Sequence, residues 1–179
     1  VLFMDLLRQR GNNSRAHNEA VVIPADAQQI EYEGEVVVVI GKKAKNLTED
    51  EALSCVFGYT IGNDMSSRSI EGENPLYLPQ AKMYDGCAAL GPCIYVPKNA
   101  IDPETSIEIS IERGTTVMYE DKIAISQMKR QHTELVGYLY KECSFPDGCF
   151  LMTGTGIVPP NSFTLQSGDT ITITIQYIG

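Results

Sequence analysis

The sequence predicts a β-dominated α+β fold, a closed or rolled sheet with helices at its rim, and three observations predict it. The run Val36-Val37-Val38-Val39-Ile40 is β-branched throughout and reads as a strand buried on both faces. Ile107, Ile109 and Ile111 alternate with polar residues, as do Ile171, Ile173 and Ile175 with Thr170, Thr172 and Thr174, which is the period of half-buried strands. Helical spacing recurs in only two places. At 179 residues and 19.7 kDa, one domain over residues 1–179 is expected, large enough to bury a core.

Each element follows in order. Thr48-Glu49-Asp50-Glu51 has the spacing of a capping box and opens a short helix through Ala52, Leu53, Val56 and Phe57, closing at Gly58. Tyr59 to Asn63 reads as a strand, with Asp64 just past its end, and Glu71-Gly72-Glu73-Asn74-Pro75 as a polar loop. The strand at Ile107 to Ile111 turns near Arg113-Gly114 and returns through Val117 and Tyr119. Ile125, Met128, Leu135, Val136 and Leu139 mark one longer amphipathic helix. After the turn Pro146-Asp147-Gly148, Cys149 to Thr153 reads as a strand, and the turn Ser167-Gly168-Asp169 precedes the last one.

The net charge is −9, from 14 basic and 23 acidic residues, which argues against a nucleic-acid or anionic-membrane partner. The basic cluster Arg8, Arg10 and Arg15 is too short to change that, although it can steer a small anion. Cys55, Cys87, Cys93, Cys143 and Cys149 are odd in number and follow no zinc-finger spacing. Reduced, mostly buried thiols and a cytoplasmic setting are expected. No apolar stretch of about 18 residues and no leader pattern is present. The chain opens on Val1-Leu2-Phe3, and an absent N-terminal segment is expected.

Glu33 and Glu35 stand one residue apart ahead of the apolar run, so on a strand both carboxylates point the same way, roughly 7 Å apart. Solvated charges at a strand end are the ordinary reading of such a pair. At the mouth of a hydrophobic element, where unpaired charge is costly, a hard divalent cation with oxygen ligands offsets that cost. Asp64 is a natural third ligand, against the alternative of a turn former or N-cap. Arg68 suits a substrate carboxylate. Lys82, between Ala81 and Met83, suits partial burial and a catalytic or oxyanion-stabilising role, where a lone lysine is more often surface decoration. Thr153-Gly154-Thr155-Gly156 offers amides and hydroxyls as an anion cradle, or is simply a turn.

These segments, in this order, resemble the fumarylacetoacetate hydrolase superfamily. The matching pieces are Tyr32-Glu33-Gly34-Glu35 running into Val39-Ile40-Gly41-Lys42, Phe57 to Asp64 with Arg68, Lys82, Asp85-Gly86, Leu90-Gly91-Pro92, Thr153 to Gly156 and Gly168-Asp169. Within the superfamily, Glu71 to Lys82, Ser126 to Arg130 and Gly154 to Pro160 are similar to the branch of 2-keto-3-deoxy-D-arabinonate dehydratases. The resemblance implies a β-roll, a mixed rolled sheet with a few short helices, around a divalent metal, Mg²⁺ before Mn²⁺ or Ca²⁺. It implies Glu33, Glu35 and Asp64 as metal ligands and Arg68, Lys82 and Thr155 as groups lining the substrate pocket; Lys82 and Arg68 are expected as the catalytic groups, with Arg68 or the Gly154 to Gly156 loop gripping the substrate carboxylate. It further implies a homodimer and a small-molecule 2-oxo acid substrate, whose vicinal oxygens chelate the metal while an enolate develops.

The chain departs from that pattern in several places. Phe3-Met4 is followed by Asp5 where relatives have a Phe-x-Lys element, His17-Asn18-Glu19 has the wrong spacing for a His-x-x-Glu pair, and Ser69 replaces a common aspartate. Leu6 to Asn13 matches nothing and is read as joining two segments across a missing lid; the chain halts at Ile178-Gly179 where relatives continue. The leading expectation is a metal-dependent lyase that dehydrates a 2-keto-3-deoxy sugar acid. An acylpyruvate hydrolase, a decarboxylase or an isomerase on the same metal is the second, and a non-catalytic metal- or oxo-acid-binding domain the third.

Overall fold

A computed structural model of the protein describes residues 14–25 and 27–179. Arg8, Arg10, Phe3 to Asp5 and the unmatched stretch 6–13 lie outside the described residues. The strands are β1 (Ser14–Ala16), β2 (Ile30–Ile40), β3 (Val56–Ser67), β4 (Ala88–Tyr95), β5 (Ser106–Arg113), β6 (Thr116–Ala124), β7 (Cys149–Met152) and β8 (Asp169–Ile175). Short helices sit between them: α1 (Glu49–Ala52), α2 (Arg68–Glu73), α3 (Leu78–Lys82) and α4 (His132–Leu139). One sheet runs β1-β4-β3-β2-β7 and a second runs β6-β5-β8. β1 joins β4 in parallel while the other pairs are antiparallel, so the larger sheet is mixed. This is the β-dominated, rolled arrangement that the strand patterns predict, with the mixed strand directions that the family resemblance implies.

The core lies between the sheets. β2 presents Ile30, Tyr32, Val36, Val38 and Ile40, and β5 answers with Ile107, Ile109 and Ile111, all buried. Side chains alternate across a strand, so Gly34 shares that face. A Cβ there would stand 2.5 Å from Ile109 Cδ1, so glycine is what lets the smaller sheet approach β2 at this point. The opposite face of β2 carries Glu31, Glu33, Glu35, Val37 and Val39. Burial on both faces explains the unbroken apolar run.

Several local expectations are corrected. The capping box forms, with the Thr48 amide and hydroxyl both donating to Glu51, but α1 ends at Ala52 and passes through a 3₁₀ turn at Leu53–Cys55. Val56 and Phe57 belong to β3 instead, where Val56 pairs with Ile40 across an irregular register; β-branched and aromatic residues fit a pleated surface better than a helix. β3 also runs past Asn63 through Asp64 to Ser67, because β2 continues backwards to Ile30 and supplies partners. Glu71-Gly72-Glu73 is helical, within α2, and not a loop. The periodic stretch 125–139 is not one helix: Ile125–Gln127 is a 3₁₀ turn and Met128 and Gln131 take extended dihedrals before α4. Its apolar face is real all the same, since Ile125, Leu135, Val136 and Leu139 are all buried. β4 carries Gly91-Pro92 in its middle, a pair that disguises a strand in sequence. The five cysteines are free, but Cys93 and Cys143 are exposed and Cys149 is half-buried, so most are not buried.

Candidate metal centre

Pairing of β2 with β3 builds the site. Glu33 lies opposite Asp64, Glu35 opposite Gly62 and Glu31 opposite Ser66. One carboxylate oxygen from each of Glu33, Glu35 and Asp64 lies within 4.8 Å of the others. Glu35 and Asp64 are each 2% exposed and Glu33 is half-buried. Three acidic side chains, remote in sequence, thus converge on the face of β2 turned away from the core.

Lys82, at the end of α3, enters this cluster and is 4% exposed. Its Nζ donates to Glu33 Oε2 at 2.8 Å, to Asp64 Oδ2 at 2.9 Å and to Ser66 Oγ at 2.6 Å. Burial alone would pull this ammonium down, but the Asp64 and Glu33 charges outweigh it and hold the group protonated, above ordinary lysine. Glu35 has a different partner: the Gly154 amide, just past β7, donates to its Oε2 at 2.7 Å. Burial, followed by the Asp64 and Glu33 charges, pushes the Glu35 carboxyl well above the usual carboxylate range.

Charge and donor chemistry fit a metal. Three carboxylates against one ammonium leave two negative charges in excess in a buried place, which is costly unless compensated. The upward pressure on Glu35 registers that excess. An all-oxygen donor set without histidine or cysteine suits a hard divalent cation such as Mg²⁺.

The remaining predicted residues are placed as follows. Arg68, the first residue of α2, sends Nη1 to Glu31 Oε2 at 2.7 Å, one row along the face from Glu33 and Asp64. The Gly154 amide is engaged by Glu35 rather than open to an anion. The Thr155 hydroxyl is turned into its own loop, donating to the Ile157 carbonyl and accepting from the Ile157 amide, both at 3.2 Å. Sequence reasoning missed Glu31 and Ser66. Glu31 lies two positions from Glu33 and so shares its face on a strand, a signal present in sequence; Ser66 bears the same relation to Asp64 only once β3 runs past Asn63.

Residues 6–179 match the family model described as fumarylacetoacetate (FAA) hydrolase C-terminal. The chain is 50% identical over 125 residues to a probable 2-keto-3-deoxyxylonate dehydratase of Haloferax volcanii, covering 69% of this chain and 43% of the relative. It is 37% identical over 169 residues to a 2-dehydro-3-deoxy-D-arabinonate dehydratase of Saccharolobus solfataricus, covering 94% and 53%. A solved structure of 2-keto-3-deoxy-D-arabinonate dehydratase complexed with magnesium and 2,5-dioxopentanoate superposes with a TM-score of 0.83 at 36% identity, covering 94% of this chain and 57% of that one. The chain therefore spans about half the length of the curated relatives it matches.

Proposed function

The chain belongs to the fumarylacetoacetate hydrolase family, and from that premise we propose that it is a divalent-metal-dependent lyase that dehydrates a 2-keto-3-deoxy sugar acid such as 2-keto-3-deoxy-D-arabinonate. The observation that carries this reading is the buried carboxylate trio of Glu33, Glu35 and Asp64 with the Lys82 ammonium bonded into it. Its similarity to two sugar-acid dehydratases supports dehydration among the reactions open to such a site.

Glu33, Glu35 and Asp64 would hold the cation, Mg²⁺ by preference. Bound there, it supplies a Lewis acid to the vicinal oxygens of a 2-oxo acid. Dehydration removes a proton from C3 and the hydroxyl from C4 as water; the C3=C4 double bond then shifts to C4=C5 as C5 loses a proton and C3 gains one. The resulting enol ketonises at C4 to the C5 aldehyde, with negative charge developing on the C2 oxygen along the way. Lys82 is suited to that charge. Fixed by three acceptors, with the Asp64 and Glu33 charges favouring its ammonium form, it is a preorganised donor. Ser66 Oγ accepts the third of the lysine's hydrogen bonds. Gly154, by gripping one oxygen of Glu35, fixes that ligand's orientation, as an outer-shell partner does. Arg68 contributes to substrate binding from the neighbouring row.

Incubation with 2-keto-3-deoxy-D-arabinonate and Mg²⁺ tests the reading. The expected outcome is 2,5-dioxopentanoate, detected by trapping its aldehyde. A metal-loaded protein that leaves the sugar acid unchanged would refute it.

A further inference from the structure

Glu31 is 4% exposed and belongs to no part of the metal cluster, yet it stands on the same face one row from Glu33. Its Oε2 accepts from Arg68 Nη1, while Oε1 is buried with no hydrogen-bond partner. A purely structural Arg–Glu pair does better with a two-armed fork that satisfies both oxygens. Here the pairing is one-armed, and the Arg68 side chain remains 39% exposed. The backbone from which it projects is held independently of the pair. The Arg68 amide donates to the Gln29 carbonyl at 2.9 Å, and the Gln28 amide donates to Ser69 Oγ at 3.3 Å, fastening the start of α2 to the chain entering β2. Ser69, a departure from the family pattern in sequence, is part of that fastening.

We propose that the Arg68–Glu31 pair is a specificity filter for the substrate's tail, admitting an uncharged hydroxylated tail and turning away a second carboxylate. The inference rests on the proposed function, which puts the 2-oxo acid end at the Glu33–Glu35–Asp64 cluster. Rows on a strand face are about 7 Å apart, the length of a short carbon chain, so the pair meets the far end of such a substrate. Arg68 alone would attract a carboxylate there. With Glu31 one hydrogen bond behind it, the pair is neutral as a unit, and an arriving anion meets a poorly solvated negative charge at close range. A hydroxyl accepts from the guanidinium N–H groups that remain without that penalty. Discrimination of this kind works by repelling the wrong ligand as much as by attracting the right one.

The test compares two unreactive acids of equal length, 2-oxopentanoate and 2-oxoglutarate, by calorimetry on the Mg²⁺-loaded protein. Wild type is expected to bind 2-oxopentanoate about tenfold more tightly or better, and Glu31→Gln, which keeps the side chain's shape, to narrow or reverse that ratio by about tenfold. Mg²⁺ affinity, measured in the same titrations, should be alike in both proteins. Equal affinity of wild type for the two acids overturns the filter whether or not the variant folds, as does a ratio that Glu31→Gln leaves unmoved. Absence of dehydration with the selectivity intact refutes the proposed reaction and leaves the filter standing; a metal-loaded wild type that binds neither acid refutes both.

Discussion

Lys82 shows how a single residue is defined by what surrounds it. On its own it would be a flexible surface cation; bonded to Glu33, Asp64 and Ser66 it becomes a fixed charge in a nearly dry place. Lys82→Met should lower kcat by about 10²–10³, the usual cost of losing one preorganised electrostatic donor, without weakening Mg²⁺ binding, since a positive charge is removed from beside the cation. Steady-state kinetics with calorimetry reads both. Glu35 makes the complementary case. Glu35→Gln keeps an acceptor for the Gly154 amide but removes a buried charge that its surroundings disfavour. The metal-free variant should melt at a higher temperature than wild type, and added Mg²⁺ should no longer raise that temperature. Thermal melts with and without metal check it.

Elements carry their own consequences. Gly148, in the turn that delivers β7, has φ +79°, and a Cβ there would stand 2.4 Å from the Ile40 carbonyl oxygen. Gly148→Ala should therefore cost about 2 kcal/mol or more in a urea unfolding experiment, combining a left-handed backbone with a clash that no side chain can yield to. α4 opens on His132, whose ring lies 5.8 Å from that of Tyr59 and whose Nε2 is buried with no hydrogen-bond partner. Burial pushes the imidazole down to about 4 from its ordinary 6.5. The unfolded chain then binds a proton that the folded one refuses, so stability falls as pH drops from 6.5 towards 4. Between pH 7 and pH 4.5 wild type should lose about 2–3 kcal/mol more than His132→Gln, compared by urea unfolding at both values. Equal losses would mean that the ring is hydrated.

For the whole molecule, folding and metal binding are linked, because the trio assembles only when β2 and β3 pair. Mg²⁺ at a hundred times its dissociation constant should add about 2.7 kcal/mol to the unfolding free energy, and a chelator should remove it. Much of this architecture was legible beforehand. The alternation of Ile107 to Ile111 and of Ile171 to Ile175, and the Val36 to Ile40 run, report a local period that any sheet must respect, so those strands stand where expected. Glu33 and Glu35 share a face for the same local reason. What a local period does not contain is the identity of the neighbour. Asp64 reads as lying just past the end of its strand and Val56-Phe57 as helix until β2 extends alongside β3 to supply the missing partners. The same pairing decided that Glu31 and Ser66 belong to the site, that Arg68 answers to Glu31, and that the Gly154 amide faces Glu35. Alternation is a property of one strand and is written in its residues; register is a relation between strands, set by the packing of the whole sheet.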